Sequence, residues 1–287
     1  MDIKKKLNIT VFGPTSKIGL ELTKKYLDDG NILNLFYRNR KAKISLKKNS
    51  FIKKKINQVR LIKYNFSNLK KLKLNLKKNK DVINKTEILI ITTAEQGEIK
   101  NFFKQSIKKF YDTFYTNFFF YVLLFKNINQ FLNKKKKLLI ILFSGGGSTS
   151  YRENFSSYSL TKICLVKLTE ILSHEIKNKN IRFNILSPGI IESPMTKKIL
   201  RKKNKISKKE ILKLKRNIKF SDINIYKLYK TINFLNSKKG NKISGKLISS
   251  AWDDIVKYDK KTVNKLMNSD KFTLRRKEFN WSLWMLH

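Results

Sequence analysis

Leu7-Asn8-Ile9-Thr10-Val11-Phe12-Gly13-Pro14-Thr15-Ser16-Lys17-Ile18-Gly19 sets the frame for the whole chain. Leu7 to Phe12 reads as a strand that ends in a glycine-bearing turn. Lys17 to Leu27 then follows helical spacing, with Ile18, Leu22 and Tyr26 on one face. Asp28-Asp29-Gly30 ends that helix, glycine serving as the breaker. A strand, a glycine turn and a helix N-terminus together make an anion site. Backbone N–H groups and the helix dipole face the ligand, and glycine lets phosphates come close. Turns use glycine anyway, so this segment taken alone leaves both readings open.

The pattern repeats outward. Ile32 to Tyr37, Val59 to Tyr64, Ile88 to Thr92, Leu138 to Phe143, Ile181 to Leu186 and Lys246 to Ser250 read as strands. Ile88 to Thr92 is a continuous, largely β-branched run of the kind buried on both faces of a parallel sheet. Between the strands lie longer amphipathic stretches, notably 102–132, 158–176 and 223–235. Alternation of this kind predicts an α/β fold: a Rossmann-type, doubly wound parallel sheet with helices on both faces. Lysine runs at 47–55, 70–80 and 134–137 are interleaved with Leu and Ile and read as solvated helix faces and turns. One domain is expected over 1–251, with a basic insertion at about 195–220 and a C-terminal extension over 252–287.

Composition narrows the class. The 287 residues carry a net charge of +45, and one cysteine, Cys164, leaves no intramolecular disulfide. Clustered Lys and Arg would point to nucleic acid. Here nine of the 65 basic residues are Arg, Ala occurs only at 42, 94 and 251, and the lysines are spread along the chain. That is the mark of an AT-biased composition with a basic surface, which still draws in acidic ligands. No specific nucleic-acid partner is expected. The N-terminal apolar run is too short for a secretory signal. Phe118 to Phe125 falls far short of the roughly 20 residues that span a bilayer. A cytoplasmic protein without a membrane span is expected.

Three further groups carry chemistry. Tyr158-Ser159-Leu160-Thr161-Lys162 places Tyr158 and Lys162 one helical turn apart on one face. A free Tyr titrates near about 10, and a neighbouring ammonium lowers that value. Such pairs also arise by chance in a lysine-rich chain. Ser144 ends the fifth strand, where open α/β sheets place ligands, and Gly145, Gly146 and Gly147 follow it. Asn117 is a polar amide flanked by aromatics, and it wants a partner. Ser187-Pro188-Gly189 ends the sixth strand at the same edge of the sheet.

In this order and at these spacings, the residues over about 7–250 resemble the short-chain dehydrogenase/reductase family. The resemblance implies a catalytic set of Asn117, Ser144, Tyr158 and Lys162. Gly13, Thr15, Ser16, Ile18 and Gly19 look like its cofactor turn. Asn65 sits near the adenine position, and Ile91-Thr92-Thr93-Ala94 is similar to the segment after the fourth strand. Pro188, Gly189 and Ile191 belong to a segment similar to the one on the nicotinamide side, and Tyr158 and Lys162 also serve the cofactor. Trp252-Asp253-Asp254 and Phe272-Thr273-Leu274-Arg275-Arg276 resemble a bacterial subgroup met among surface-polysaccharide genes. No metal is expected.

Four positions depart from the family pattern. Lys17 replaces the middle glycine, and a side chain there tolerates positive φ poorly. Thr92 and Thr93 replace two Asn, and Glu95 replaces a Gly. The gap from Ser144 to Tyr158 is one residue longer than usual in the family, so Gly145 is an alternative alignment without a hydroxyl.

The resemblance implies hydride transfer between a nicotinamide and a carbonyl or hydroxyl substrate. Tyr158 is the general acid/base, Ser144 holds the carbonyl oxygen, Lys162 lowers the Tyr158 pKa and binds ribose, and Asn117 holds a water of the proton relay. Arg38, just past the second strand, favours NADP(H), with NAD(H) the other possibility. The substrate is a small-molecule or carrier-linked carbonyl compound, 3-oxoacyl-carrier-protein reduction being one alternative. The insertion at 195–220 is expected to form a lid over an acidic substrate. A homo-oligomer is expected. Lys17 and Glu95 motivate the other alternative, a catalytically lapsed relative that binds a nucleotide or serves as a partner subunit.

Overall fold

The computed structural model describes residues 5–65, 69–202, 204 and 206–276. Positions 203 and 205 of the insertion and 277–287 of the C-terminal extension lie outside the described residues. Seven strands form one sheet: β1 (Asn8–Phe12), β2 (Ile32–Tyr37), β3 (Val59–Lys63), β4 (Ile88–Ile91), β5 (Leu138–Phe143), β6 (Ile181–Ser187) and β7 (Leu247–Ser249). Their order is β3-β2-β1-β4-β5-β6-β7, and every neighbouring pair is parallel. This is the expected Rossmann-type, doubly wound α/β sheet. Strand order reverses between β1 and β4, which leaves a crevice at their carboxyl ends.

The helices follow in chain order. They are α1 (Lys17–Asp28), α2 (Arg40–Lys48), α3 (Ser50–Lys54), α4 (Leu69–Lys78), α5 (Lys80–Lys85), α6 (Ile107–Phe114) and α7 (Phe120–Ile128). The remainder are α8 (Ser156–Glu175), α9 (Pro194–Arg201), α10 (Lys208–Ile218), α11 (Ser221–Asn236) and α12 (Lys260–Met267). Because successive strand residues face opposite sides, the sheet has two apolar faces. Val11, Leu35, Ile90 and Ile141 pack with Leu22 of α1 and with Leu228 and Ile232 of α11. Phe12, Phe36, Ile91 and Leu142 pack with Leu72 of α4, Phe120 and Leu124 of α7, and Leu165 of α8. Ile255, Val263 and Leu266 join the first of these clusters.

Past α12 the chain returns to the sheet. Leu247 N donates to Phe272 O at 2.7 Å along the outer edge of β7. Arg275 ties the returning run to α8 through Glu170 at 2.6 Å and closes on Asp270 at 2.9 Å. Among the described residues no helix is long and apolar enough to cross a membrane.

Candidate active site

The turn after β1 is shaped by what glycine allows. Gly13 has φ +82°, and a Cβ there would lie 2.9 Å from Thr93 N and 2.9 Å from Thr92 Oγ1. A Cβ on Gly19 would lie 2.6 Å from Gly13 O. Turn and helix start are therefore in backbone contact. Ser16 caps α1, its Oγ accepting from Gly19 N at 3.0 Å and donating to Thr92 Oγ1 at 2.8 Å. Thr92 Oγ1 in turn donates to Gly13 O at 2.7 Å. Thr92, in the place of an Asn, thus ties the end of β4 to the cofactor turn. The amides of Lys17 and Ile18 have no intrahelical acceptor. A side-chain-free turn running into a helix N-terminus fits a dinucleotide pyrophosphate.

Lys17 corrects one expectation. It is the first residue of α1 and is not among the positive-φ residues, so no backbone strain attends it. Its Nζ pairs with Glu21 at 3.1 Å along the helix. The residue that needs positive φ is Gly13, four positions earlier.

Two positions sit where the adenine end of a dinucleotide would lie. Arg38 is exposed just past β2, and its charge acts on the hydroxyl of Tyr64. Burial nevertheless pushes that hydroxyl up to about 12. Tyr64 Oη lies 3.3 Å from Thr93 Oγ1. Asn65 N donates to Asn75 Oδ1 at 3.2 Å. Thr15 and Ala94 are exposed.

Tyr158 and Lys162 lie on the buried face of α8, 8% and 2% exposed. Lys162 Nζ donates to Phe143 O at 2.9 Å and stands 5.5 Å from the centre of the Tyr158 ring. Burial drops the Lys162 ammonium to about 8. Burial also pushes the Tyr158 hydroxyl above its usual value, and the positive charge that pulls it back is that of Arg152. The resemblance gives that task to Lys162. Here the ammonium is committed to the β5 carbonyl.

Asn117 sits in a π-helical turn, Tyr115–Phe119, between α6 and α7. The wider turn is a local irregularity of the kind often found at functional sites. Its amide clasps the chain after β4. Oδ1 accepts from Glu95 N at 2.8 Å, and Nδ2 donates to Glu95 O at 2.8 Å and to Thr161 Oγ1 at 3.2 Å. Glu95 therefore engages Asn117 through its backbone, so a side chain in place of glycine leaves the clasp intact.

Ser144 is buried at the end of β5, and its Oγ donates to Ser148 Oγ at 2.7 Å. The residue turned toward the Tyr158 hydroxyl is Gly145, where a Cβ would lie 2.4 Å from Tyr158 Oη. The long spacing between Ser144 and Tyr158 is thus taken up with a glycine opposite the tyrosine. Gly189 has φ +75° and packs against Ala251 and Asn224, whose Nδ2 donates to Ile190 O at 2.9 Å. Pro188 and Ile191 are buried beside it.

Two residues that sequence reasoning missed also lie here. Gln96 is 5% exposed, and neither end of its amide has a partner among the described residues. It stands between Glu95, held by Asn117, and Gly97, whose Cβ position is 2.7 Å from Ser157 Oγ. Arg152 lies across the glycine loop and donates to Glu210 of α10. Their signal in the sequence was only a polar residue just past a strand and a rare Arg in a lysine-rich chain.

The basic insertion folds as α9 and α10. Ile199 and Leu214 pack on Ile99 and Phe155, at the same edge of the sheet as the glycine loops. A cavity of about 540 Å³ is lined by Gly147, Ser148 and Arg152 of the loop after β5, by Ser159 and Ile163 of α8, and by Leu274.

Lysine chemistry gives a pH test. Because the folded pKa of Lys162 is depressed, the unfolded chain binds the extra proton between about 8 and 10.5. The contribution to stability therefore rises as pH rises through that window, by up to roughly 3 kcal/mol. Chemical denaturation at pH 7.5 and pH 9.5 should show Lys162→Met gaining stability over the parent at the lower pH and losing that advantage at the higher. An equal difference at both would refute it.

Fold and glycine turn define a Rossmann-type α/β protein. Residues 7–204 match the family model described as short chain dehydrogenase. The chain belongs to that family. Among solved structures it is similar to ElxO with NADP bound (16% identity, TM-score 0.70, covering 85% of this chain and 97% of that one). It is also similar to a variant of actinorhodin polyketide ketoreductase with NADPH (15%, TM-score 0.70, 85% and 95%). A glucose/ribitol-type dehydrogenase of the same family from Brucella melitensis gives 19% identity, TM-score 0.67 and coverage of 85% and 97%. No curated protein matches the chain by sequence.

Proposed function

We propose that the protein is an NADP(H)-dependent oxidoreductase acting on a carbonyl or hydroxyl substrate, with Tyr158 as its general acid/base. The observation that carries this reading is Tyr158 against Gly145, with Lys162 one turn on and Asn117 reaching Thr161 of the same helix, at the sheet edge that also holds the glycine turn. Gly13, Thr15, Ser16, Ile18 and Gly19 would hold the pyrophosphate. Arg38, Asn65 and Ala94 would line the adenosine side, and Pro188, Gly189 and Ile191 the nicotinamide side. The nicotinamide supplies the hydride chemistry when bound.

The chain's own residues do the rest. Tyr158 Oη gives a proton to the substrate oxygen, and burial keeps that proton in place until then. Lys162, held on Phe143 O, orients the ribose and returns protons toward Tyr158. Asn117 fixes the chain after β4 and, with Thr161, the α8 backbone at Tyr158 O.

NADP(H) is favoured because Arg38 stands where an acidic residue would select the free ribose hydroxyl. NADP- and NADPH-bound relatives of the same fold support the choice. Titration of the purified protein should give tighter binding of NADPH than of NADH by tenfold or more, and Arg38→Ala should remove the difference. Tighter binding of NADH would overturn the assignment.

One observation favours a second reading. Gly145 places no hydroxyl opposite Tyr158, which suits a lapsed relative that binds the nucleotide without turnover. NADPH binding without oxidation across a panel of ketones and aldehydes would select it. A homo-oligomer is part of the proposal as well, supported by exposed Ile107 and Tyr111 on α6 and Leu160, Ile163 and Ile171 on α8.

A further inference from the structure

We propose that Arg152 is the anion-recognising residue of the substrate cleft, and that Glu210 of α10 covers it until an acidic substrate displaces the carboxylate. The proposal rests on the cleft at Tyr158 being the reacting site, but its test does not use turnover.

Arg152 is placed by the loop between β5 and α8. Its guanidinium carbon stands 3.7 Å from the centre of the Phe155 ring, which is wholly buried. The stacked ring fixes the plane of the fork before any ligand arrives. Nε and Nη2 both reach Glu210 Oε1, at 2.8 and 2.6 Å. The side chain also crosses the glycine loop: a Cβ on Gly146 would lie 3.5 Å from Arg152 Cδ and Nη1. One residue back, Gly145 faces the Tyr158 hydroxyl. An anion gripped by Arg152 therefore holds its attached carbonyl carbon skeleton beside the acid/base group.

Glu210 is a singular residue. Between 194 and 219 it is the only carboxylate among twelve Lys and Arg. That segment would otherwise repel Arg152, and its one acid lands on the guanidinium. A carboxylate on this fork has the geometry that a substrate carboxylate or phosphate would take. Glu210 is in effect an internal occupant, and an internal occupant lowers the apparent affinity for the external one. The cover is also lightly held. Among the described residues, α9 and α10 rest on a small cluster in which Ile99, Phe155, Ile199 and Leu214 are buried and Ile190, Leu200 and Ile206 partly so. Segments with so few buried contacts open well below the cost of global unfolding. Once open, the cations of α9 and α10 and the freed Arg152 meet the same incoming anion.

The test compares the full-length parent with Glu210→Gln, Arg152→Met and the double variant, each first checked for NADPH binding. Trypsin cleavage within 194–219 reports opening, and calorimetric titration with inorganic phosphate and with acetate, at constant ionic strength, reports the anion site. Glu210→Gln should speed cleavage several-fold and tighten anion binding tenfold or more. Arg152→Met should speed cleavage equally but gain no anion affinity, and the double variant should match it. Phosphate over acetate would assign a phosphorylated substrate, and acetate over phosphate a carboxylate one. The proposal is overturned if Glu210→Gln gains no affinity, or if the gain survives Arg152→Met and so belongs to the lysines. Unchanged cleavage in Glu210→Gln overturns the covering role. If no variant binds NADPH, the oxidoreductase reading fails while these arms remain readable.

Discussion

Tyr158→Phe should lower turnover by about 10²–10⁴ while leaving NADPH affinity within about twofold, because a positioned acid–base group alone is typically worth that much. The ring is packed on the inner face of α8 and 8% exposed, so Phe keeps the volume and the packing. Only the hydroxyl is lost, and no hydrogen bond to another described residue goes with it. Stability should shift by no more than about 1 kcal/mol. Single-turnover oxidation of bound NADPH, read by absorbance, separates this loss from any change in binding. A variant that keeps parental turnover would remove Tyr158 from the reaction and leave the proton to come from elsewhere. A parent that binds NADPH and never turns over gives the nucleotide-binding reading instead, and then Tyr158→Phe changes nothing.

Gly13→Ala should cost the cofactor site at least a hundredfold in NADPH affinity. Two effects add. A non-glycine residue at φ +82° pays about 1–2 kcal/mol for the left-handed backbone. The new methyl would also stand 2.9 Å from the backbone nitrogen of Thr93, which belongs to the run after β4 and cannot swing aside. The turn has to move, and the Ser16–Thr92–Gly13 hydrogen bonds move with it. Gly30→Ala is the control. Gly30 has φ +80° but nothing within 4 Å of its Cβ position, so it carries the backbone cost without the clash. Thermal denaturation should show both variants lowered, Gly13→Ala by several degrees more, and only Gly13→Ala should lose NADPH. Equal losses of affinity in both would mean that the turn is not the binding site.

Much of this fold was legible because its strands are continuous apolar runs closed by polar residues. Ile32 to Tyr37 and Leu138 to Phe143 form strands over the bounds read from the sequence. The bounds slipped where chemistry was gradual: Thr92 and Tyr64 lie one residue past the assigned strands, although Thr92 N still donates to Phe12 O and Tyr64 N to Tyr37 O. Helices α2 to α5 were hard to delimit, because lysine stretches around sparse Leu and Ile carry little contrast. The π turn around Asn117 was not legible, since a run of aromatics hides any change of period. At the candidate site the order of residues was readable, but the choice between Ser144 and Gly145 was not. It turns on one residue of loop, and only the direction of Gly145 toward Tyr158 shows which one stands opposite.

Arginine held a signal that was passed over. With nine Arg against a background of lysine, a retained guanidinium marks a place where a fork is needed. Arg152 grips Glu210 through two nitrogens, and Arg275 spans Glu170 and Asp270. Lysine, a flexible point charge, would serve neither of these geometries as well.

The run that returns past α12 to lie along β7 has a consequence for handling the protein. β7 is three residues long and is the last strand, so its free side presents main-chain donors and acceptors that a stray chain can template on. Phe272 O takes one of those donors, and Arg275 and Lys246, the latter through Ser269 O at 2.7 Å, hold the run in place. A chain cut before residue 269 would therefore uncover the seam, and its first symptom would be self-association during refolding rather than loss of the crevice.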